Sequence, residues 1–167
     1  VIGDDESQNT SAILPDVGGG TTDIALVNER GVEGTKMFGI GGRAFTRGIE
    51  RAMAITYAQA ETVKLGLGSG RIPHNKLPAS EESLKSTLSV WLSGVQLALE
   101  EFSVETMPNR ILLCGGGASL DMLHEALEGE SWYKELPFTR RPQVQYMHPD
   151  DAVGIFDTTE SLKDHMF

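Results

Sequence analysis

Apolar positions along this chain follow two periods, and the change from one to the other divides it. Residues 11–17 and 23–28 are short apolar-rich runs, and Ile24, Ala25, Leu26 and Val27 stand consecutively, as in a strand covered on both faces. Asn28-Glu29-Arg30-Gly31 reads as a turn, and residues 32–38 resume with the alternation of a hairpin partner. These runs predict an antiparallel meander of three strands. The period then lengthens. After Gly41-Gly42, the positions Phe45, Ile49 and Met53 recur at helical spacing, with Arg43, Arg47 and Arg51 off that stripe. A second, short helix is predicted over residues 58–65, ending at Gly66, and the glycine- and proline-rich residues 66–78 predict a loop. The third helix has the longest stripe: Leu84, Leu88, Trp91, Val95, Leu99 and Phe102. Ser80 is placed to cap its start, Glu81 and Glu82 suit the positive end of its dipole, and Met107-Pro108-Asn109 ends it.

Beyond that point Ile111-Leu112-Leu113-Cys114 reads as a buried strand running into Gly115-Gly116-Gly117. A helix follows from Ser119 with Leu120, Leu123 and Leu127 on one face, then a last strand at residues 144–147. His148-Pro149-Asp150-Asp151 breaks that strand, and residues 152–156 start a final helix. A meander followed by crossover units implies an α/β fold with a five-stranded mixed sheet covered by helices, residues 111–114 forming a central strand. The polar, acidic residues 1–10 read as a tail or linker, and residues 158–167 as a second tail. Residues 11–42 and 105–157 make the main subdomain, with a small helical lobe at 43–104 between them.

Composition narrows the function. With 40% hydrophobic and 23% charged residues, the 167-residue chain has the profile of a globular protein rather than a disordered one. A net charge of −10, with the basic residues scattered, argues against nucleic-acid partners and against direct contact with an anionic membrane. No apolar run approaches the length of a membrane span, and the single cysteine, Cys114, excludes an intrachain disulfide framework. These features predict a cytoplasmic protein. His74, His124, His148 and His165 lack ligand spacing and read as surface residues.

Three constellations carry chemistry. The first is Asp16-Val17-Gly18-Gly19-Gly20-Thr21-Thr22-Asp23, in a turn between two strands. Its glycines let the backbone bend tightly and bring bare N–H groups against an anion, and Thr21 and Thr22 add hydroxyl donors. Asp16 can hold a hydrated Mg²⁺ or orient an attacking water. The bland reading is a glycine-rich hairpin with a capping aspartate, which by itself would not need three glycines and two threonines between two acids. The second is the run from Ile111 through Gly115, Gly116 and Gly117 to Ser119: strand, glycine loop, helix start. The bland reading of this run is tight strand-to-helix packing. Neither a G-x-G-x-x-G fingerprint nor a Walker lysine is present in it. The third is Glu61 and Lys64, three apart on one helical face, placed to meet ribose hydroxyls and a base, or to form an ordinary solvated ion pair.

In this order the three resemble the actin-like ATPase superfamily, which includes actin, MreB, DnaK-type chaperones, the pilus protein PilM and FtsA. There D-x-G-G-G-T-T-D is the second phosphate loop, A-E-x-x-K supplies ribose and adenine contacts, and a strand ending in G-G-G/A is the adenosine loop. Ala60-Glu61-Thr62-Val63-Lys64 matches the middle motif. The Gly-Gly-x-x-x-T-x-x-I segment of FtsA is matched by Gly41 to Ile49, and residues 149–156 resemble the stretch after its last strand. Pro15 departs from the pattern, since a proline cannot donate to a ladder and leaves the strand irregular or unpaired on one side.

The resemblance implies an actin or ribonuclease-H type fold and ATP with Mg²⁺ as ligands. Asp16 would serve the metal or water, Gly18, Gly19, Gly20, Thr21 and Thr22 the phosphates, Glu61 and Lys64 the ribose and base, and Gly115, Gly116 and Gly117 the adenosine. It further implies that this is one half of a division or cytoskeletal protein whose N-terminal actin-like domain lies outside the chain, with self-assembly or an FtsZ-like division partner, and with no turnover by this half alone. The alternatives are a non-catalytic scaffold or PilM-like pilus-assembly module, and a chaperone-type actin-like ATPase.

Overall fold

The computed structural model describes residues 11–67, 77–129 and 131–147. The expected tails, the final helix at 152–156, the stretch 149–156, residues 68–76 of the loop, and His74, His148 and His165 lie outside them. β1 (Ala12–Val17), β2 (Thr22–Asn28) and β3 (Gly31–Phe38) form the expected meander, antiparallel throughout, with a register shift at Leu26/Val27. Gly31, at a φ of 113°, takes the left-handed conformation that the β2–β3 turn requires. β4 (Arg110–Leu113) lies parallel to β1, and β5 (Gln143–Tyr146) parallel to β4. The sheet order is β3-β2-β1-β4-β5. β4 is therefore an interior strand, as expected, but the middle of the sheet is β1.

Pro15 sits in that middle strand. Its carbonyl accepts from the Cys114 N–H at 3.0 Å, and Val17 N–H donates to Cys114 O at 2.9 Å. The β1–β4 ladder is reduced to the pair Ile13↔Ile111 and a separate bridge at Asp16↔Cys114. The missing N–H interrupts the ladder toward β4, just before the glycine turn.

α1 (Gly42–Met53), α2 (Tyr57–Gly66) and α3 (Leu77–Glu100) follow the meander. A single 3₁₀ turn (Gly116–Ser119) and α4 (Asp121–Glu128) lie between β4 and β5. α1 buries Phe45, Thr46 and Ile49. α2 starts at a capping box that the sequence reading missed: Thr56 accepts from the Gln59 N–H, and the Gln59 side chain returns a bond to the Thr56 N–H. Leu84, Trp91, Val95 and Leu99 of α3 join Ile13, Val17, Ile24 and Leu26 of the sheet in one buried cluster, which also takes in Phe45, Ile49, Leu123 and Leu127.

Three boundaries differ from expectation by two residues or more. α3 begins at Leu77, so Ser80 is not its cap but a fully buried residue inside the helix, and Glu81 and Glu82 fall beyond the first turn. α3 ends at Glu100 rather than at Met107-Pro108-Asn109, with Ser103 at a φ of 29° in the segment that follows. The helix after the second glycine run starts at Asp121, because the 3₁₀ turn takes up Ser119.

Candidate functional site

The two glycine runs, about a hundred residues apart in the chain, meet at the carboxyl ends of β1 and β4. Parallel pairing of those strands brings both ends to one edge of the sheet. Gly115, at φ 88° and ψ 160°, lies against Asp16 Oδ1 and the Val17 carbonyl, leaving no room for a side chain. Gly117 is pressed against Val17 in the same way, whereas a Cβ on Gly116 would project into open space. The second loop thus needs glycine at its first and third positions to seat it beside Asp16.

The first loop behaves differently. None of Gly18, Gly19 and Gly20 has a positive φ between 20° and 160°. A Cβ on Gly19 would meet only the Arg43 side chain, at 3.7 Å from Cζ, and one on Gly20 would collide only with the end of that same flexible side chain. The expectation that these glycines serve a tight bend is corrected: neither the backbone conformation nor packing against fixed atoms requires them at 19 and 20. What they keep is open backbone. The turn is closed by Gly18 N–H to Thr21 O at 2.9 Å, and its carbonyls face α1, with Gly42 N–H donating to Gly18 O at 2.9 Å and Arg43 N–H to Gly19 O at 2.8 Å. Two of the orphan amides at the start of α1 are satisfied in this way. The N–H groups of Gly19, Gly20 and Thr21 donate to nothing among the described residues.

The threonines divide. Thr21 is partly exposed and its hydroxyl donates to Asp23 at 3.1 Å. Thr22 is fully buried: its hydroxyl donates to Ile40 O at 2.7 Å and accepts from the Trp91 indole at 2.9 Å. The Thr22 side chain therefore belongs to the core and offers no hydroxyl at the loop surface, a correction to the sequence reading. The cause is alternation, which turns Val17 and its cross-strand partner Thr22 inward and the exposed pair Asp16 and Asp23 to the other face. Trp91 is a core residue, as expected.

Glu61 and Lys64 form an ion pair at 2.9 Å, but not a simple solvated one. Lys64 is only 9% exposed in its side chain, and its ammonium also donates to Thr46 Oγ1 at 3.0 Å and Gly42 O at 3.4 Å. Thr46 in turn donates to Glu61 Oε2 at 2.5 Å. Burial pushes the Glu61 carboxyl up, but the Thr46 hydroxyl and the Lys64 ammonium together outweigh it and hold it below its ordinary value. Thr46 was not singled out as a site residue, although its burial on the Phe45–Ile49 face was legible from spacing. Cys114, beside Asp16, is a buried thiol pushed up to about 11 by burial and then by the Asp16 charge, so it remains protonated and inert near neutrality.

Gly42 is where the three constellations converge. A Cβ there would lie 3.8 Å from Gly18 O, 3.8 Å from Gly117 Cα and 3.9 Å from Lys64 Nζ. Next to this point a groove of about 780 Å³ opens between α2, α3 and the start of α4, lined by Lys64, Leu65, Leu84, Lys85, Ser119 and Met122 among others. A smaller cleft, about 280 Å³, lies at the opposite edge of the sheet between Asn28, Thr106 and Asn109, and contains none of the predicted site residues. Among the described residues no group of three or more His, Cys, Asp or Glu side chains could cage a metal, and no helix is long and apolar enough to cross a membrane.

Comparison with known proteins gives the family and the fold. Residues 13–161 match the family described as cell division protein FtsA. The chain is similar to the cell shape-determining protein MreB of Escherichia coli strain K12, 30% identical over 156 residues, a match covering 75% of this chain and 45% of the relative. It thus spans about 45% of the length of the curated relatives it matches. Among solved structures, the PilM-PilN type IV pilus biogenesis complex superposes with a TM-score of 0.68 at 20% identity, covering 95% of this chain and 42% of that one. MreB5 of Spiroplasma citri bound to ADP superposes with a TM-score of 0.55 at 22% identity, covering 85% and 50%. The same protein bound to AMPPNP gives 0.54 at 20% identity, again covering 85% and 50%. These likenesses show the actin-like fold.

Proposed function

The chain belongs to the cell division protein FtsA family, and from that premise we propose that it forms one wall of an ATP-binding cleft in an actin-like protein of the division or cytoskeletal type. The observation that carries this reading is the set of three N–H groups at Gly19, Gly20 and Thr21 that donate to nothing among the described residues, in a loop whose second and third glycines the fold itself does not require. Three successive N–H donors at the end of a buried strand would offer an anion a set of backbone partners. Phosphates would lie on these amides, and the base and ribose beside the groove at Lys64 and Met122. Glu61, held by Thr46 and by Lys64, would accept from ribose hydroxyls, with the Lys64 ammonium keeping the carboxylate in place. The 3₁₀ turn after Gly115 would form the floor under the adenosine.

Asp16 fits the role of metal partner. It is exposed at the end of β1 with one oxygen against Gly115. Mg²⁺ commonly takes one or two carboxylates, several waters and the substrate phosphates, so a single placed carboxylate suits it better than a protein cage would. Mg²⁺ there would neutralise charge that develops between the phosphates during hydrolysis, with Asp16 orienting its water shell. The structures of MreB5 with ADP and AMPPNP support an adenine nucleotide as the ligand class. An opposing actin-like domain would supply the other wall, and self-assembly or a division partner would read out the nucleotide state. The competing reading, a PilM-like scaffold working without nucleotide, makes the opposite prediction in the following experiment.

Gly19→Ala separates fold from ligand. Its new methyl makes only ordinary contact with Arg43, so the variant should unfold in urea no earlier than the parent. Titration with Mg·ATP should move the amide resonances of residues 18–22 and 115–117 in the parent, with at least about fivefold weaker affinity in the variant. Equal affinity in the two would show that no ligand passes over Gly19 on the Arg43 side, and absence of any shift in the parent would favour the scaffold.

A further inference from the structure

Arg43 is the second residue of α1, exposed to solvent, with its backbone N–H tied to Gly19 O at 2.8 Å. That bond anchors the residue to the glycine turn. Its guanidinium then folds back over the same turn, where Nη2, Cζ and Nε all lie close to the position a Gly20 side chain would take, and Cζ lies 3.7 Å from that of Gly19. Among the described residues no carboxylate pairs with it, in a chain that carries 24 acidic residues against 14 basic ones. A cation in the first turn of a helix is also opposed by the helix dipole. The sequence reading set Arg43 aside as off the apolar stripe of α1. Its signal was that misplaced charge directly after Gly41-Gly42.

The cation beside Gly42 on the groove side is occupied. Lys64 is bonded to Glu61, Thr46 and the Gly42 carbonyl, on the side of Gly42 that faces the groove. The contacts run from Lys64 through Gly42 to Gly18, and then to Gly19 and Gly20 beneath Arg43. The guanidinium therefore stands at the end of this chain of contacts farthest from the groove, beside amides that donate to nothing among the described residues.

Resting on the nucleotide reading above, we infer that Arg43 contacts the terminal phosphate of a nucleoside triphosphate and makes the site distinguish triphosphate from diphosphate. A guanidinium presents a planar fork of donors that matches two phosphate oxygens at once, and it keeps its charge at every physiological pH. Set over the loop, it would complete with cationic donors what the three amides begin. Asp16 and Asp23, which flank the loop on neighbouring strands, repel a polyanion. A cation placed over the same turn offsets that repulsion where the charge of the ligand is greatest.

The test titrates the parent chain, Arg43→Ala and Arg43→Lys with Mg·AMPPNP, Mg·ADP and AMP, following backbone amide shifts. Because the side chain is exposed, resonances outside the loop should not change in either variant. Arg43→Ala should bind Mg·AMPPNP about tenfold more weakly and Mg·ADP less than about twofold more weakly, with AMP unaffected. Arg43→Lys should fall between, since it keeps the charge but loses the fork. An AMPPNP-to-ADP preference in Arg43→Ala equal to that of the parent overturns the assignment while leaving the nucleotide site standing. Equal weakening of both ligands also overturns it, because Arg43 would then act on the polyanion as a whole. No shift with any nucleotide in the parent overturns the nucleotide reading and this assignment together.

Discussion

At residue 46 one hydroxyl fixes two charged neighbours. Thr46 donates to Glu61 and accepts from Lys64, and the lysine is buried by these contacts to 9% exposure. Thr46→Val keeps the branched shape and removes the hydroxyl, leaving an ammonium and a carboxylate each short of a partner in a half-dry site. Stability in urea should fall by about 1–2 kcal/mol. The change also has a pH signature. Glu61 is held below its ordinary value of 4.5, so its ionised form stabilises the fold above that value, and the contribution is lost as pH falls through the lower folded value. With Glu61 still 35% exposed, solvent screening keeps this contribution under about 1 kcal/mol. The variant should lose less stability than the parent between about pH 5 and about pH 3. Parallel stability curves over that range would show that Thr46 does not set the Glu61 charge.

At the scale of elements, α3 packs against α1, α4 and the β2–β3 hairpin, and two glycines stand at these contacts. Gly94 faces Phe38 of β3 so closely that a Cβ would sit 2.7 Å from its Cε2, and Gly48 of α1 has a similar relation to Ser83 Oγ on α3, also at 2.7 Å. An ordinary glycine inside a helix is a weak point that alanine improves by about 1 kcal/mol. At Gly94 that gain is outweighed, because the ring it meets is packed against the core. Gly94→Leu should therefore destabilise by about 2–3 kcal/mol, as overpacking does, and should broaden the resonances of residues 35–38 along β3. A variant as stable as the parent would show that α3 is not held to the sheet at this point. Trp91, three residues earlier, anchors the same helix to Thr22 and so ties it to the strand that leaves the glycine loop.

For the whole molecule, the relevant fact is extent. The chain spans about 45% of its curated relatives, and a ligand site of this class encloses most of its ligand. Here the open amides, Arg43 and Asp16 stand at an exposed edge of the sheet, so only one side of a nucleotide would be gripped. The 167-residue chain by itself should bind Mg·ATP with a Kd of about 1 mM or weaker, equivalent to only about −4 kcal/mol. Its net charge of −10 works in the same direction wherever amides and cations do not offset it. Calorimetry on the chain decides the point, since micromolar affinity or steady hydrolysis would mean that this wall suffices without an opposing domain.

Much of this was legible in the sequence, because short-range patterns encode what neighbouring residues do. Two short apolar runs and an alternating third specified the meander, period-3.6 stripes specified α1 and the body of α3, and Pro15 announced the break in the β1–β4 ladder. The two glycine runs and the Glu61–Lys64 pair were visible as candidates for the same reason. What only the tertiary structure decided was how residues distant in sequence divide one space. Parallel pairing of β1 with β4 brings Gly115 against Asp16, and no local pattern contains that distance. Trp91, 69 residues away, claims the Thr22 hydroxyl for the core while Thr21 beside it stays at the surface. Ser80, which has the composition of a cap, is swallowed by a helix that starts earlier and packs over it. Arg43 is an ordinary off-stripe charge until α1 docks on the glycine turn and lays the guanidinium over Gly19 and Gly20. Local propensity fixes the elements because its energies lie between neighbours, whereas the site is built from burial and hydrogen bonds across the sheet, which exist only once the strands have paired.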